Sequence, residues 1–197
     1  AKLLALERNV IITPVVNYGF YPAFLKYPGS TSIDFTTATE MILGIVKSLS
    51  SYGPKRFYVI NVGVSTTPTL ATASKILAEE GILLYYSQYD RPNFAKAEDA
   101  LKTQAFGGHA NELETSNILY LRPDLVDMSK AVNDSSAKGK QGMILSPVEM
   151  EGTAFSPTGI VGYAALATKE KGKISMKAFT KEIIKEIDSI TTCLLPQ

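Results

Sequence analysis

Histidine, cysteine and net charge are what this chain of 197 residues has least of. Each scarcity excludes something. The only cysteine, Cys193, rules out an intramolecular disulfide and makes a reducing, cytoplasmic compartment the expectation. The 20 basic residues against 19 acidic ones leave a net charge of +1, which offers no long-range field to nucleic acid or an anionic membrane. No nucleic-acid or membrane partner is therefore expected. No apolar run approaches the roughly 18–20 residues that cross a bilayer, and no secretory signal is visible. There is no internal repeat, low-complexity tract or linker, so one domain over residues 1–197 is expected. Its opening on Ala1 rather than a methionine makes an N-terminally incomplete chain part of that expectation. A hydrophobic fraction of 45% is ample for a core in one such domain.

What is present alternates. Residues 10–16, VIITPVV, read as a first strand, although Pro14 cannot donate to a ladder. A long loop over residues 19–34 comes next, carrying Phe20, Tyr21, Phe24 and Tyr27. Loops of that length commonly serve a site or an interface; a local satellite core accounts for the rings equally well. Met41, Ile42, Ile45, Val46 and Leu49 recur at helical spacing over residues 36–50, with Thr37 and Glu40 spaced as a capping box. Strands are expected over residues 57–61 and 82–87, and a helix over 67–80 with Leu70, Ala73 and Leu77 inward. Further helices are expected over 94–105, 112–121 and 175–190, with a mobile loop over 133–142. Strand–helix alternation with short connections predicts an α/β fold, a single-domain three-layer sandwich with a mainly parallel sheet.

In such sheets ligands sit beyond the carboxyl ends of the strands. The turn over residues 61–67, NVGVSTT, is rich in hydroxyls and precedes a helix N-terminus, so Asn61, Ser65 and Thr66 are the substrate-binding candidates. It matches neither the dinucleotide fingerprint nor the P-loop pattern, and gives a nucleotide cofactor little support.

The densest chemistry lies in residues 107–116, GGHANELETS. His109 is the only imidazole of the chain, and Glu112, Glu114, Thr115 and Ser116 stand close behind it. Histidine beside carboxylates suits proton transfer or metal binding near neutral pH. A plain polar helix start, with acidic residues favoured by the N-terminal dipole, explains the same residues. His109 is expected in a cleft beside the 61–66 turn.

Taken in order, several segments resemble the creatininase family of amidohydrolases. YPGSTSI (27–33) resembles its FPGTISL segment, and KRFYVIN (55–61) the strand leading to its NGHGGN turn. TTPTL (66–70) fits the residues just after that turn. HANELETS (109–116) resembles HAGExETS, LRPDLVDMSKA (121–131) its usual continuation, and GIVGYAALATKEKG (159–172) the GVxGDPxxATAEKG element. The resemblance implies a creatininase-like fold and metal-dependent hydrolysis of amide bonds, often cyclic. It implies a divalent metal (zinc, manganese or iron), a small-molecule substrate and a homo-oligomer, with the aromatic loop over residues 19–27 as a candidate interface. By resemblance His109 is the catalytic acid/base, and Glu112 and Glu114 lie at or beside the metal.

The chain also departs from the pattern. Gly63 stands where the family's turn has a metal-binding histidine, Asn111 where its block has glycine, and Tyr163 interrupts the GDP-like element. Nothing in residues 1–9 resembles the family's EQHGxHLPLxTD ligand segment. Two readings stay open: a metal-dependent amide or cyclic-amide hydrolase with a degraded metal site, and a non-catalytic homologue acting as a small-molecule-binding or structural and regulatory subunit.

Overall fold

Asp34 begins the first long helix. Its carboxylate accepts the Thr37 N–H at 2.9 Å and the Thr37 hydroxyl at 2.6 Å, which caps an orphan donor of the first turn. The cap thus lies three residues before the expected Thr37. The structure is a computed structural model that describes residues 1–88, 99, 101–140 and 143–196. Its helices are α1 (Lys2–Ala5), α2 (Phe35–Ser50), α3 (Thr67–Ala78), α4 (Glu112–Leu121) and α5 (Lys169–Thr192). Its strands are β1 (Arg56–Val59), β2 (Leu83–Tyr86), β3 (Asn133–Asp134), β4 (Ile144–Ser146), β5 (Thr153–Phe155) and β6 (Gly162–Tyr163).

The chain forms two compact units. The first comprises Ala1–Tyr21, Thr31–Arg91 and Thr180–Gln197. Here β1 and β2 pair in parallel, Arg56 opposite Leu83 through Val59 opposite Tyr86, and α3 is the crossover between them. Parallel strands are commonly joined by such a crossover, and here a helix supplies it while covering the sheet. Leu43 and Val46 of α2, Ala73 and Leu77 of α3, Ile82 and Leu84 form the core. Leu70, Ala73 and Leu77 are buried as the spacing predicts. In α2 the inward stripe is Thr39, Leu43, Val46 and Ser50, rotated from the expected set, and Ile45 is exposed. Gly81 reverses the chain between α3 and β2 at a φ of +69°, a conformation that disfavours a side chain. Arg8 ties the N-terminal segment to α5 by two bonds to Asp188, at 2.6 and 2.7 Å.

The strand expected over residues 10–16 does not form. The run has no regular secondary structure and is exposed, Ile11 and Val15 at 88% and 80%. No backbone partner pairs it among the described residues. A strand exists only where its amides find a ladder, and Pro14 withholds one donor outright.

The second unit comprises Pro22–Ser30 and Pro92–Phe179. Here β4 and β5 pair in parallel, and β3 and β6 antiparallel. Parallel pairing therefore prevails, but in short ladders of two strands. Ala137, Leu145, Ala154 and Val161 make its core, with Phe24, Tyr27 and Phe106 packed against it. Two rings of the long loop thus belong to this core. The buried Asp134 carboxylate gathers the Ser136 N–H and the hydroxyls of Ser156 and Thr158 at 2.6–3.0 Å. It stands at the start of the segment expected to be a mobile loop; residues 141–142 of that segment lie outside the described residues. The helix expected over 94–105 also lies largely outside them; Asp99 and Leu101 are helical and residues 102–105 are not. The last helix starts at Lys169, six residues before the expected 175, because the Thr168 hydroxyl accepts the Lys171 N–H at 3.2 Å and caps it.

Candidate active site

The block around His109 is built on a helix start, and the local chemistry explains its form. Asn111 is the N-cap of α4, its side-chain oxygen accepting from Leu113 N–H at 3.0 Å and Glu114 N–H at 3.1 Å. Asparagine in the glycine's place therefore strengthens the cap. The Glu114 carboxylate reaches back to the Ala110 N–H at 2.5 Å, close to a capping box. Ala110 between them has a φ of +46°, the only positive value outside glycine among the described residues. An L-residue held there is strained, and such strain is retained where its surroundings over-determine the chain.

His109 itself is held by backbone and ring contacts. Its N–H donates to Val161 O at 3.3 Å and its carbonyl accepts the Val161 N–H at 2.8 Å. Its imidazole meets the Phe24 ring edge-to-face, centroids 4.8 Å apart. Burial holds the imidazole below its ordinary value of 6.5, so it is neutral at pH 7 and able to accept a proton. Burial pushes the Glu114 carboxyl above its ordinary 4.5, outweighing the N–H bonds from Ala110 and Asn111.

These shifts act on stability in opposite senses. Between the folded His109 value and 6.5 the unfolded chain carries the extra proton, so stability climbs with rising pH through that window. For Glu114 the folded carboxyl keeps its proton above 4.5, so the contribution present below 4.5 is lost as pH rises through the folded value. Proton NMR reads the first shift without assignment, because one imidazole is present. We expect its midpoint below 6.5; a midpoint at or above 6.5 would refute the half-buried placement of the ring.

Glu112 has a different task. It is fully buried. Its carboxylate accepts the Thr103 N–H at 2.8 and 3.0 Å, the Thr103 hydroxyl at 2.8 Å and the Gln104 N–H at 2.7 Å, and pairs with the Lys171 ammonium. Burial alone would raise its pKa, but Lys171, Gln104 and Thr103 together hold it below the ordinary carboxylate value. These donors occupy both oxygens, and Glu114 is engaged with Ala110. Among the described residues no three His, Cys, Asp or Glu side chains come together as ligands. The residues described therefore do not fit a catalytic metal, which needs about three protein ligands and an open position.

The candidates of the 61–66 turn lie in the first unit. Asn61 is buried; its side-chain oxygen accepts the Gly63 N–H at 3.3 Å and the Thr66 hydroxyl, and its amide donates to the Thr67 hydroxyl at 3.2 Å. Asn61 and Thr66 thus fold the turn, and Ser65 is half-buried beside them. Gly63 has an ordinary extended φ of −130°, and a Cβ there would meet its neighbours at 3.5 Å or more. Its backbone does not demand glycine.

Phe24, Gln104 and Lys171 escape the sequence reading as members of the His109 surroundings. Phe24 carried a signal as one ring of the aromatic loop, and Lys171 as part of the 159–172 element; Gln104 carried none.

Comparison with known proteins shows what the chain as a whole is similar to. A creatinine amidohydrolase from Pseudomonas putida is 24% identical over 203 residues, spanning 94% of this chain and 77% of its own length. A 3-dehydro-scyllo-inosose hydrolase from Thermotoga maritima is 24% identical over 222 residues, spanning 95% of this chain and 68% of its own. The solved structure of a creatininase mutant of Zn-Zn type superposes with a TM-score of 0.75 at 23% identity, over 94% of this chain and 78% of that one. The fold is accordingly the α/β creatininase fold. The family model for creatinine amidohydrolase matches residues 1–187, and the chain belongs to the creatininase family.

Proposed function

We propose that this protein is a small-molecule hydrolase that opens amide or cyclic-amide bonds, with His109 as its proton-transfer group. The observation that carries the proposal is an imidazole held against Phe24 on a backbone fixed at Val161, where burial favours its neutral form. Such a group can take a proton from attacking water and return it to the departing nitrogen. The names of the Pseudomonas amidohydrolase and the Thermotoga hydrolase support hydrolysis, and the first of them supports an amide substrate. The match of the family model over residues 1–187 supports reading both units as parts of one domain. A cytoplasmic homo-oligomer without nucleic-acid or membrane partners belongs to the same proposal. It rests on the lone cysteine, the near-zero charge and the family. Among the described residues no helix is long and apolar enough to cross a membrane.

A second reading has its own observations. The engagement of Glu112 by Lys171 and the glycine at position 63 favour a non-catalytic, small-molecule-binding homologue. Hydrolysis assays on creatinine and a panel of cyclic amides, with and without added zinc or manganese, separate the two. We expect turnover that His109→Gln lowers by about 100- to 10,000-fold. Turnover of none of these probes, or turnover unchanged in His109→Gln, overturns the assignment.

A further inference from the structure

Glu112, three residues beyond His109, is paired with Lys171, and no proton-transfer role uses that pair. Lys171 donates to Leu166 O at 3.1 Å as well as to Glu112, with the Thr103 hydroxyl at 3.5 Å, so three oxygens surround one ammonium. The other side of Glu112 fastens Thr103 and Gln104, the residues that lead into the His109 segment. Gln104 is itself buried and spends its side-chain oxygen on the Tyr163 N–H at 3.0 Å and the Glu112 N–H at 3.3 Å. Its amide lies over Gly107 so closely that a Cβ there would sit 2.2 Å from it. Gly162 faces the same place: its Cβ would stand 2.8 Å from Asn111 Cβ and from the Gln104 oxygen, and 3.2 Å from Gly107 Cα. One residue from Gly162 is Val161, which holds the His109 backbone.

We propose that Glu112 and Lys171 are the positioning residues of His109, acting through Thr103, Gln104 and the facing glycines Gly107 and Gly162 to set its imidazole against Phe24. This rests on His109 being the proton-transfer group. The contacts lead from the ammonium through Glu112 to Gln104, from Gln104 by its bond to the Tyr163 N–H and its close approach to Gly107 and Gly162 to the adjacent Val161, and from Val161 by backbone hydrogen bonds to His109, whose ring meets Phe24. Buried, fully satisfied polar networks of this kind specify one arrangement and rigidify it. A catalytic group needs that, because an error of about 1 Å in placement costs rate heavily.

The test reads the position of the ring directly. In the full chain the single imidazole gives one set of resonances, and its proximity to Phe24 gives a nuclear Overhauser contact between the rings. Lys171→Met and Glu112→Gln are each expected to lose that contact and shift the imidazole signals at a pH where the ring is neutral. Lys171→Arg is expected to retain both. Lys173→Met, an exposed neighbour on α5, is expected to change neither. Should Glu112→Gln fail to fold, Lys171→Met, which leaves the Thr103 and Gln104 donors on Glu112, decides the matter. With creatinine as probe, kcat is expected to fall in Lys171→Met with KM little changed. A folded Lys171→Met whose ring contact and imidazole signals match the parent overturns the proposal, even if its melting temperature has dropped. Absence of the contact in the parent protein overturns it too. Lack of creatinine turnover in the parent speaks against the hydrolase reading alone, because the ring measurement stands without it.

Discussion

Glu112→Ala is expected to destabilise the protein by about 3–5 kcal/mol, the usual loss when one partner of a buried ion pair is removed. The substitution leaves the Thr103 and Gln104 N–H groups and the Thr103 hydroxyl facing an apolar methyl. Of these the Gln104 N–H is buried, and a buried donor without an acceptor costs about 1–3 kcal/mol. The Lys171 side chain is 21% exposed, so its ammonium can turn toward water, which keeps the total from the top of the additive range. Urea denaturation should show a lower midpoint at unchanged slope. Against a domain stability of about 5–15 kcal/mol, the loss should also appear as reduced yield of folded protein. A loss below about 1 kcal/mol would mean that the pair behaves as a surface contact and that the network around Glu112 is misplaced.

Gly172→Ala is expected to cost at least about 2 kcal/mol, although alanine is the better helix former by about 1 kcal/mol. Gly172 lies in the first turns of α5, where that helix meets α4 backbone to backbone. A Cβ at this position would fall 1.9 Å from the Ser116 carbonyl oxygen and 2.5 Å from its carbon. Both are main-chain atoms inside a helix, so no side chain can swing aside; the two helices must separate. Separation also strains the Ser116 hydroxyl's bond to the Thr168 N–H, 3.0 Å, which secures the start of α5. The direction of the midpoint shift tests this. An unchanged or higher midpoint in Gly172→Ala would show that the helices are not in backbone contact.

Some of this was legible in the linear chain for a plain reason. The helices α2, α3 and α4 and the pair β1 and β2 fall close to their expected spans, because apolar spacing, Pro68, Gly81 and Pro123 act within a few residues of where they stand. The run over residues 10–16 misled for the same reason. Its β-branched residues announce a strand locally, but a strand is completed only by a partner elsewhere in the chain.

The chemistry of the candidate site divides in the same way. That His109 is the sole imidazole, that Asn111 and Glu114 suit a helix start, and that the blocks 109–116 and 159–172 resemble one family are properties of sequence alone. That these two blocks lie against each other was decided by the tertiary structure: His109 on Val161, Asn111 on Gly162, Glu112 on Lys171, Ser116 on Thr168 and Gly172. Glu112 shows why. A carboxylate in sequence can be a metal ligand, an acid or a strut, and which one depends on the cation that neutralises it after burial. For Glu112 that cation is an ammonium 59 residues away, and no period of 2 or about 3.6 residues carries information across that separation.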